Sequence, residues 1–438
     1  MTTAAYGLRL TAECSKRLLP LLLGLFLLIS APAPAPAQVA TAEPGSQLTV
    51  YLLTMGPGDQ VWEKFGHNAI WIHDASTGSD IAFHWGVFDF RDKDFYPNFI
   101  RGRMRYLMGA FDFNETLNFY RESNRTVWAQ ELNLTPAQRN SLAQFIYWNV
   151  RPENRYYRYD YYRDNCSTRV RDAIDGAIGG EIRKAFIKVP ASANFRFHTE
   201  RLTQDDWPIF TGTLAGLGEP TDRPISAYEE MFLPEKVRDA VRTVRVSQNG
   251  VSVPLVKNER VLFEAKRSPE PVDVHRGIGG YLLIAGLVLI VVGILFVAQG
   301  GTKPTGALTV TALWSLAAGL SGVALAGLWL FTEHIFSYRN ENLFQLNPLS
   351  LVVMVLLIRV LATSRGDAPA ISKRVDSAYR WALIVAALSV AGFVIQILPW
   401  FNQVNGDIIA LVMPLHLGVA WLLMVLSRRA FSAAKATV

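Results

Sequence analysis

A chain of 438 residues with a net charge of +6, half of it hydrophobic and 18% of it charged, is long enough for two or three structural units. Its apolar content is uneven: the middle is rich in Trp, Tyr and Arg, whereas the last third is nearly continuous hydrocarbon, which excludes a wholly soluble protein. The basic excess falls in the first residues and in loops between hydrophobic segments, so it reports membrane topology rather than nucleic-acid binding.

The first segment carries Arg9, Lys16 and Arg17, then an apolar run from Leu18 to about Ser30, then an Ala-Pro repeat with Ala35 and Ala37 placed for cleavage before Gln38. That is the order of a secretory signal peptide, and the run is short for a spanning helix. Residues 1–37 are therefore expected to be a leader, and an uncleaved anchor would deliver the residues after it to the same side. Cys14 precedes the apolar run, so it is not a lipidation cysteine. Loss of the leader leaves Cys166 as the one cysteine, which excludes an intrachain disulfide and makes a lone thiol in an oxidising compartment a candidate reactive group.

An exported domain is expected over 38–270, with a core at about 48–200 and an accessory region at 201–270. Residues 48–56, 67–73 and 81–87 read as strands, the last two flanking the turn-rich stretch Asp74–Asp80 as an antiparallel pair. With the turn near Thr77, His67 and His84 lie close to opposite each other, while His73 sits by the polar turn as a surface residue. Residues 98–125 mix Phe99, Ile100 and Phe111 with Arg101, Arg103 and Arg105, which suits a basic apolar flap at a lipid surface or a core helix with solvated arginines. Arg103, Arg105 and Arg125 either bind phosphate head groups or face water. Thr135-Pro136 opens a helix over 135–150.

The sharpest feature is Tyr161-Tyr162-Arg163-Asp164-Asn165-Cys166-Ser167-Thr168-Arg169, followed by Val170, Ile174 and Ile178 on one helix face. Asp164, Asn165 and Ser167 are N-cap residue types, so Cys166 is expected at a helix N-terminus, where the dipole, Arg163 and Arg169 would favour the thiolate. A thiol nucleophile needs a base, and the base an orienting group; His67 and His84 fit these roles. The competing reading is an inert cysteine beside ordinary strand histidines. No His/Cys/Asp spacing argues for a metal and no glycine loop for a phosphate cofactor, so no cofactor is expected.

Five apolar segments come next, at roughly 277–298, 307–331, 347–363, 380–400 and 408–426, most of them near the ~20 residues that span a bilayer. Lys303, the basic loop 364–379 and the tail with Arg428 and Arg429 share one side, which the positive-inside rule makes cytoplasmic, C-terminus included. The exported domain and the loops 332–346 and 401–407 then lie outside, with Arg276 a minor exception. The outer loops are polar, carrying His334 and Asn342, and His416 falls inside the last span. Such groups either contact substrate or hydrogen-bond to a neighbouring helix.

Phe65-Gly66-His67-Asn68-Ala69-Ile70-Trp71-Ile72, Phe83-His84-Trp85-Gly86 and Asn165-Cys166-Ser167-Thr168 resemble the exported domain of the bacterial lipoprotein N-acyltransferase Lnb family. Phe232-Leu233-Pro234 and a five-helix tail with Asn342-Leu343 and Asn347-Pro348 are similar to it as well, so the resemblance covers most of the chain after the leader. It implies an α+β domain of the permuted papain-like (NlpC-type) class, histidine strand before cysteine helix, followed by an all-α transmembrane bundle of five helices over 271–438 in the bacterial inner membrane. It further implies Cys166 as nucleophile, His67 as general base and His84 as orienting residue, with Asn165, Tyr161, Arg103, Arg125, His334 and Asn342 as substrate-binding candidates. The implied reaction moves an acyl chain from a membrane phospholipid to the N-terminal amine of a diacylglyceryl lipoprotein through a Cys166 thioester. A cell-wall amidase or peptidase, a phospholipase with water as acceptor, and a non-catalytic membrane scaffold are the alternatives.

Overall fold

The computed structural model describes residues 43–436. The leader expected over 1–37, with Cys14, lies outside them. Gly45–Val438 forms one compact unit, so the domain and the bundle are treated together.

Seven antiparallel strands make the main sheet, in the order β6-β4-β3-β2-β1-β5-β9. They are β1 Leu48–Met55, β2 His67–Asp74, β3 Ser79–Val87, β4 Arg105–Asp112, β5 Val127–Leu132, β6 Tyr156–Arg158 and β9 Val256–Phe263; β7 Arg245–Gln248 and β8 Val251–Pro254 form a separate hairpin. The three strands predicted near the start of the exported domain are all present. The mixed stretch 98–125 is neither one flap nor one core helix. It comprises the short helix α1 (Phe95–Arg101), the strand β4 and the helix α2 (Phe113–Glu122).

The helices after β5 are α3 (Pro136–Asn149), α4 (Cys166–Ala177), α5 (Glu181–Phe186), α6 (Phe195–Thr203), α7 (Trp207–Gly216), α8 (Ala227–Glu230) and α9 (Pro234–Thr243). Strand alternation divides the apolar side chains between two layers. Val50, Leu52, Ile70, Ile72 and Phe83 pack on Leu142 and Ile146 of α3, Val170 and Ile174 of α4 and Val237 of α9. Leu53, Met55, Ala69, Trp71 and Ala82 face α2 through Phe113, Leu117 and Tyr120. The predicted start of α3 holds, since Thr135 and Gln138 form a capping box with Pro136 in the first turn.

Among the described residues, four helices are long and apolar enough to cross a membrane: α10 (Ile278–Gln299), α11 (Thr305–Phe331), α13 (Ala368–Val394) and α14 (Gly406–Ala436). The third predicted segment differs. Its helix, α12 (Ser350–Ala362), has 13 residues, a length of about 20 Å against a hydrocarbon core of about 30 Å. The chain before it explains the shortfall. A Cβ on Gly322 would lie 2.5 Å from the Leu346 carbonyl oxygen, and Gly322 is about 13 Å along α11 from its outer end. The expected outer loop therefore re-enters the bundle. Gln345 donates to the Ser389 carbonyl at 2.9 Å, and its own carbonyl bonds to His416 Nε2 at 2.9 Å. Non-helical backbone at membrane depth is tolerated when enclosed by protein in this way. His416 accordingly has a neighbouring segment as its partner. The expected basic loop 364–379 is also mostly helix, because α13 begins at Ala368.

Candidate active site

Cys166 occupies the first position of α4, with Asn165 as N-cap, as the sequence predicted. The Asn165 side-chain oxygen accepts from the N–H groups of Ser167 and Thr168, both at 2.9 Å, and Thr168 Oγ1 answers from the Asn165 N–H at 2.8 Å. The Asn165 amide nitrogen donates to the carbonyls of Tyr161 (3.0 Å) and Phe232 (2.9 Å). The Phe232-Leu233-Pro234 stretch thus braces the turn that presents the thiol.

A second clamp joins this turn to β2. Ser167 Oγ bonds to Asn68 Oδ1 at 2.8 Å, and Asn68 Nδ2 donates to the Leu53 carbonyl and to Thr54 Oγ1. Asn68 and Ser167 directly follow His67 and Cys166, and both are fully buried. One hydrogen bond therefore fixes the histidine strand against the cysteine helix. The backbone N–H of Asn68 is near enough to the thiol to favour its ionised form. Gly86 makes the close approach possible: its φ is +86°, and a Cβ there would lie 3.3 Å from Cys166 Cβ. β3 bulges between His84 and Val87 at this point. Gly66, at φ +78°, makes the corresponding turn into β2, where a Cβ would strike the Met55 carbonyl oxygen at 2.7 Å.

The register places Ala69, not His67, opposite His84. His67 lies two residues along on the same face, and the pair meets diagonally, with His67 Nε2 3.0 Å from His84 Nδ1 and the rings near parallel. Tyr120 lies 6.5 Å from the His67 ring, and Arg125 stands 4.8 Å over the Tyr120 ring. Burial holds His67 well below the usual imidazole range, with the His84 and Arg125 charges adding to the effect; burial alone lowers His84 to about 4. Both rings are therefore neutral at neutral pH.

The thiol departs from expectation. Its surroundings push Cys166 up to about 11, because desolvation outweighs the N–H groups of Asn68 and Ser167 and the charge of Arg125. The basic neighbours invoked from sequence are engaged elsewhere: Arg169 forms a two-pronged ion pair with Asp164, and Arg163 lies over the Phe336 ring. Burial raises the phenols of Tyr120, Tyr157 and Tyr159, and all three are close enough for the thiolate charge to add to the rise. These walls favour a neutral thiol beside a neutral imidazole. Alkylation of Cys166 by iodoacetamide is accordingly expected to climb with pH beyond 9; a rate already level between pH 7 and 8 would reveal a preformed thiolate and sink this picture.

All six substrate-binding candidates make polar contacts within the protein. Asn165 is the helix cap already described. Tyr161 Oη meets His334 Nδ1 at 3.2 Å, and His334 Nε2 meets the Phe99 carbonyl at 2.8 Å. Arg103 donates to Glu333 at 2.6 Å, and Asn342 donates to the carbonyls of Leu214 and Ala215. These bonds tie the exported domain to the outer loop 332–346. Arg125 alone is directed at the site, held by the Gly56 carbonyl at 2.9 Å and Glu63 at 3.3 Å. Asn68, Ser167 and Gly86 lie within the sequence motifs but their clamping and close-approach roles were not read from them, and nothing in the sequence pointed to Tyr120, Tyr157 and Tyr159 around the thiol. Arg105 is the arginine of the trio with no carboxylate partner among the described residues; it lies over the Tyr156 ring at 4.0 Å.

A thiol on a helix N-terminus, its turn clamped to the strand that carries one of a bonded histidine pair, in a chain with a helical bundle, defines a multi-pass membrane protein with its candidate chemistry in the N-terminal domain. Two family models match the chain: the Lnb N-terminal periplasmic domain over residues 37–199 and the Lnb transmembrane domain over residues 282–430. The chain belongs to the Lnb family of lipoprotein N-acyltransferases, membrane enzymes of lipoprotein maturation, and its N-terminal domain is periplasmic. No curated protein and no solved structure matches it.

Proposed function

We propose that this enzyme transfers an acyl chain from a membrane phospholipid to the α-amino group of a diacylglyceryl lipoprotein through a thioester on Cys166. The observation that carries the reading is the Asn68–Ser167 bond, which locks the Cys166 turn against the strand bearing His67. His67 Nε2 is engaged with His84 Nδ1, which leaves His67 Nδ1 as the nitrogen for the thiol proton. Attack by sulfur on the ester carbonyl proceeds as that proton moves to His67. The tetrahedral intermediate then expels the lysophospholipid alkoxide, which takes the proton back. The lipoprotein amine repeats the sequence on the thioester, forming the amide and restoring the thiol. Asn165 engages the Ser167 and Thr168 N–H groups, so the Cys166 N–H is the first-turn donor left for the oxyanion. The order of histidine strand and cysteine helix, with α4 packed on an antiparallel sheet, supports the permuted papain-like class.

Intact-mass analysis of the purified protein with phospholipid, for wild type and Cys166→Ala, tests the proposal. A hydroxylamine-sensitive gain of one acyl chain is expected, absent in the variant, and a diacylated lipopeptide should discharge it as an N-acyl product. Discharge to water alone would favour a phospholipase. No adduct on folded protein would reject acyl transfer in favour of a cell-wall substrate or a scaffold.

A further inference from the structure

α1 comes soon after the His84-Trp85-Gly86 segment and contains no buried residue. Tyr96, Phe99 and Ile100 on it are 59%, 47% and 66% exposed, and Trp62 and Phe90 beside it are 50% and 45% exposed. Exposed aromatic and aliphatic groups gathered in this way mark an interaction surface. Its position identifies the partner. The Arg101 carbonyl accepts from the Glu333 N–H at 2.8 Å, and a Cβ on Gly102 would collide with the Glu333 backbone at 2.7 Å. Glu333 lies two residues beyond the end of α11, where Leu330 and Phe331 are themselves exposed on a membrane-spanning helix. The patch is thus continuous with the lipid-facing end of the bundle.

Behind the patch, aromatic rings run inward without a break. Phe90 lies 5.0 Å from Phe88 and from Phe95; Phe88 lies 5.1 Å from Tyr106; Tyr106 stacks on Tyr159 at 4.2 Å. Tyr159 is one of the phenols that feel the Cys166 charge. A cavity of about 370 Å³ adjoins this run, with Phe88, Phe95 and Tyr106 on its wall together with the charged Arg105, Arg155, Asp89 and Asp92; Asp89 is paired with Arg91, and neither Arg105 nor Arg155 has a carboxylate partner among the described residues. An apolar path with two guanidinium groups beside it, both over the Tyr156 ring and neither in an ion pair, matches a phospholipid, which joins an acyl chain to a phosphate.

We propose that Trp62, Phe90, Tyr96, Phe99 and Ile100 sit in the periplasmic leaflet of the bilayer and form the entrance through which a phospholipid reaches Cys166, its chain along the aromatic run and its phosphate at Arg105 and Arg155. This rests on the acyl-transfer reading for its second half alone; the seating in the leaflet stands apart from it. The full-length protein in liposomes is compared with the Tyr96→Ser/Phe99→Ser/Ile100→Ser variant, using liposomal phospholipid and water-soluble p-nitrophenyl butyrate as acyl donors. The variant is expected to acylate from liposomes at least ~10-fold more slowly, while the soluble donor, which needs no leaflet, is used within about twofold of wild type. Equal rates from liposomes, or equal losses with both donors, would overturn the entrance. If wild type is acylated by neither donor, acyl transfer fails and the entrance with it. The seating is then judged separately with p-benzoylphenylalanine placed at position 100. Irradiation should yield a lipid adduct on the protein, and its absence would overturn the leaflet position.

Discussion

Replacing His67 with alanine is expected to slow acylation of Cys166 by about 10³–10⁴-fold, the loss that accompanies removal of a positioned general base. His84→Ala should cost less, on the order of 10²-fold, because it removes an orienting bond while leaving the base in place. The tautomers give the reason. His67 can take the thiol proton on Nδ1 only if its Nε2 carries the hydrogen, and that hydrogen has an acceptor in His84 Nδ1 at 3.0 Å. Without His84 the other tautomer becomes competitive and the lone pair turns away from sulfur. The double variant should be no slower than His67→Ala, since the two rings act as one unit. Single-turnover acylation followed by intact mass measures all three. Equal losses in the two single variants would contradict the assigned order, and a faster His67→Ala than His84→Ala would reverse it.

The same rings set the pH response. A base acts when unprotonated, and burial lowers both His67 and His84. The acid limb of kcat/KM therefore falls below the ordinary imidazole value of about 6.5, and activity at pH 6 stays close to that at pH 7.

How much of this could be read from the sequence depended on whether the signal was local. The helix cap at Asn165 was legible because capping uses residues next to one another. The histidine strands were legible because a polar turn separates two β-branched runs. Their register was not, since the placement of Ala69 opposite His84 depends on neighbouring strands and on the bulge at Gly86. The thiol was misjudged for a related reason. Arg163 and Arg169 are near in sequence, but Asp164 and Phe336 engage them, and the groups that do surround Cys166 come from α2, β6 and the segment after it. In the membrane part, hydropathy located the apolar segments but missed the re-entrant chain at Leu346, because a polar stretch whose groups are hydrogen-bonded inside the protein has the composition of an exposed loop.

Arg196→Met is expected to destabilise the protein by about 3–5 kcal/mol, the cost of leaving a buried charge without its partner. Arg196 and Asp222 are 1% and 3% exposed, and their Nε–Oδ1 distance is 2.7 Å. Arg196 also donates to the carbonyls of Leu217 and Gly218 at 2.8 and 3.2 Å. Asp222 is already raised by burial, so losing the guanidinium leaves a carboxyl that must either protonate or remain ionised without compensation. The pair heads a run of alternating charge toward the membrane. Glu200, buried beside Arg196, bonds to Arg276 at 2.7 Å, and Arg276 lies 3.7 Å from Asp407 at the start of α14. This accounts for Arg276, a basic residue on the outer side that the positive-inside rule disfavours, because Glu200 and Asp407 offset its charge. Thermal unfolding in detergent, followed by tryptophan fluorescence, should show a midpoint lowered by roughly 10 °C. Arg196→Met/Asp222→Leu should recover most of the loss, since replacing both members of a buried pair removes the unpaired charge along with the bond. A single variant within about 3 °C of wild type would mean that water reaches Asp222 and that the run of charges does not hold the domain to the bundle.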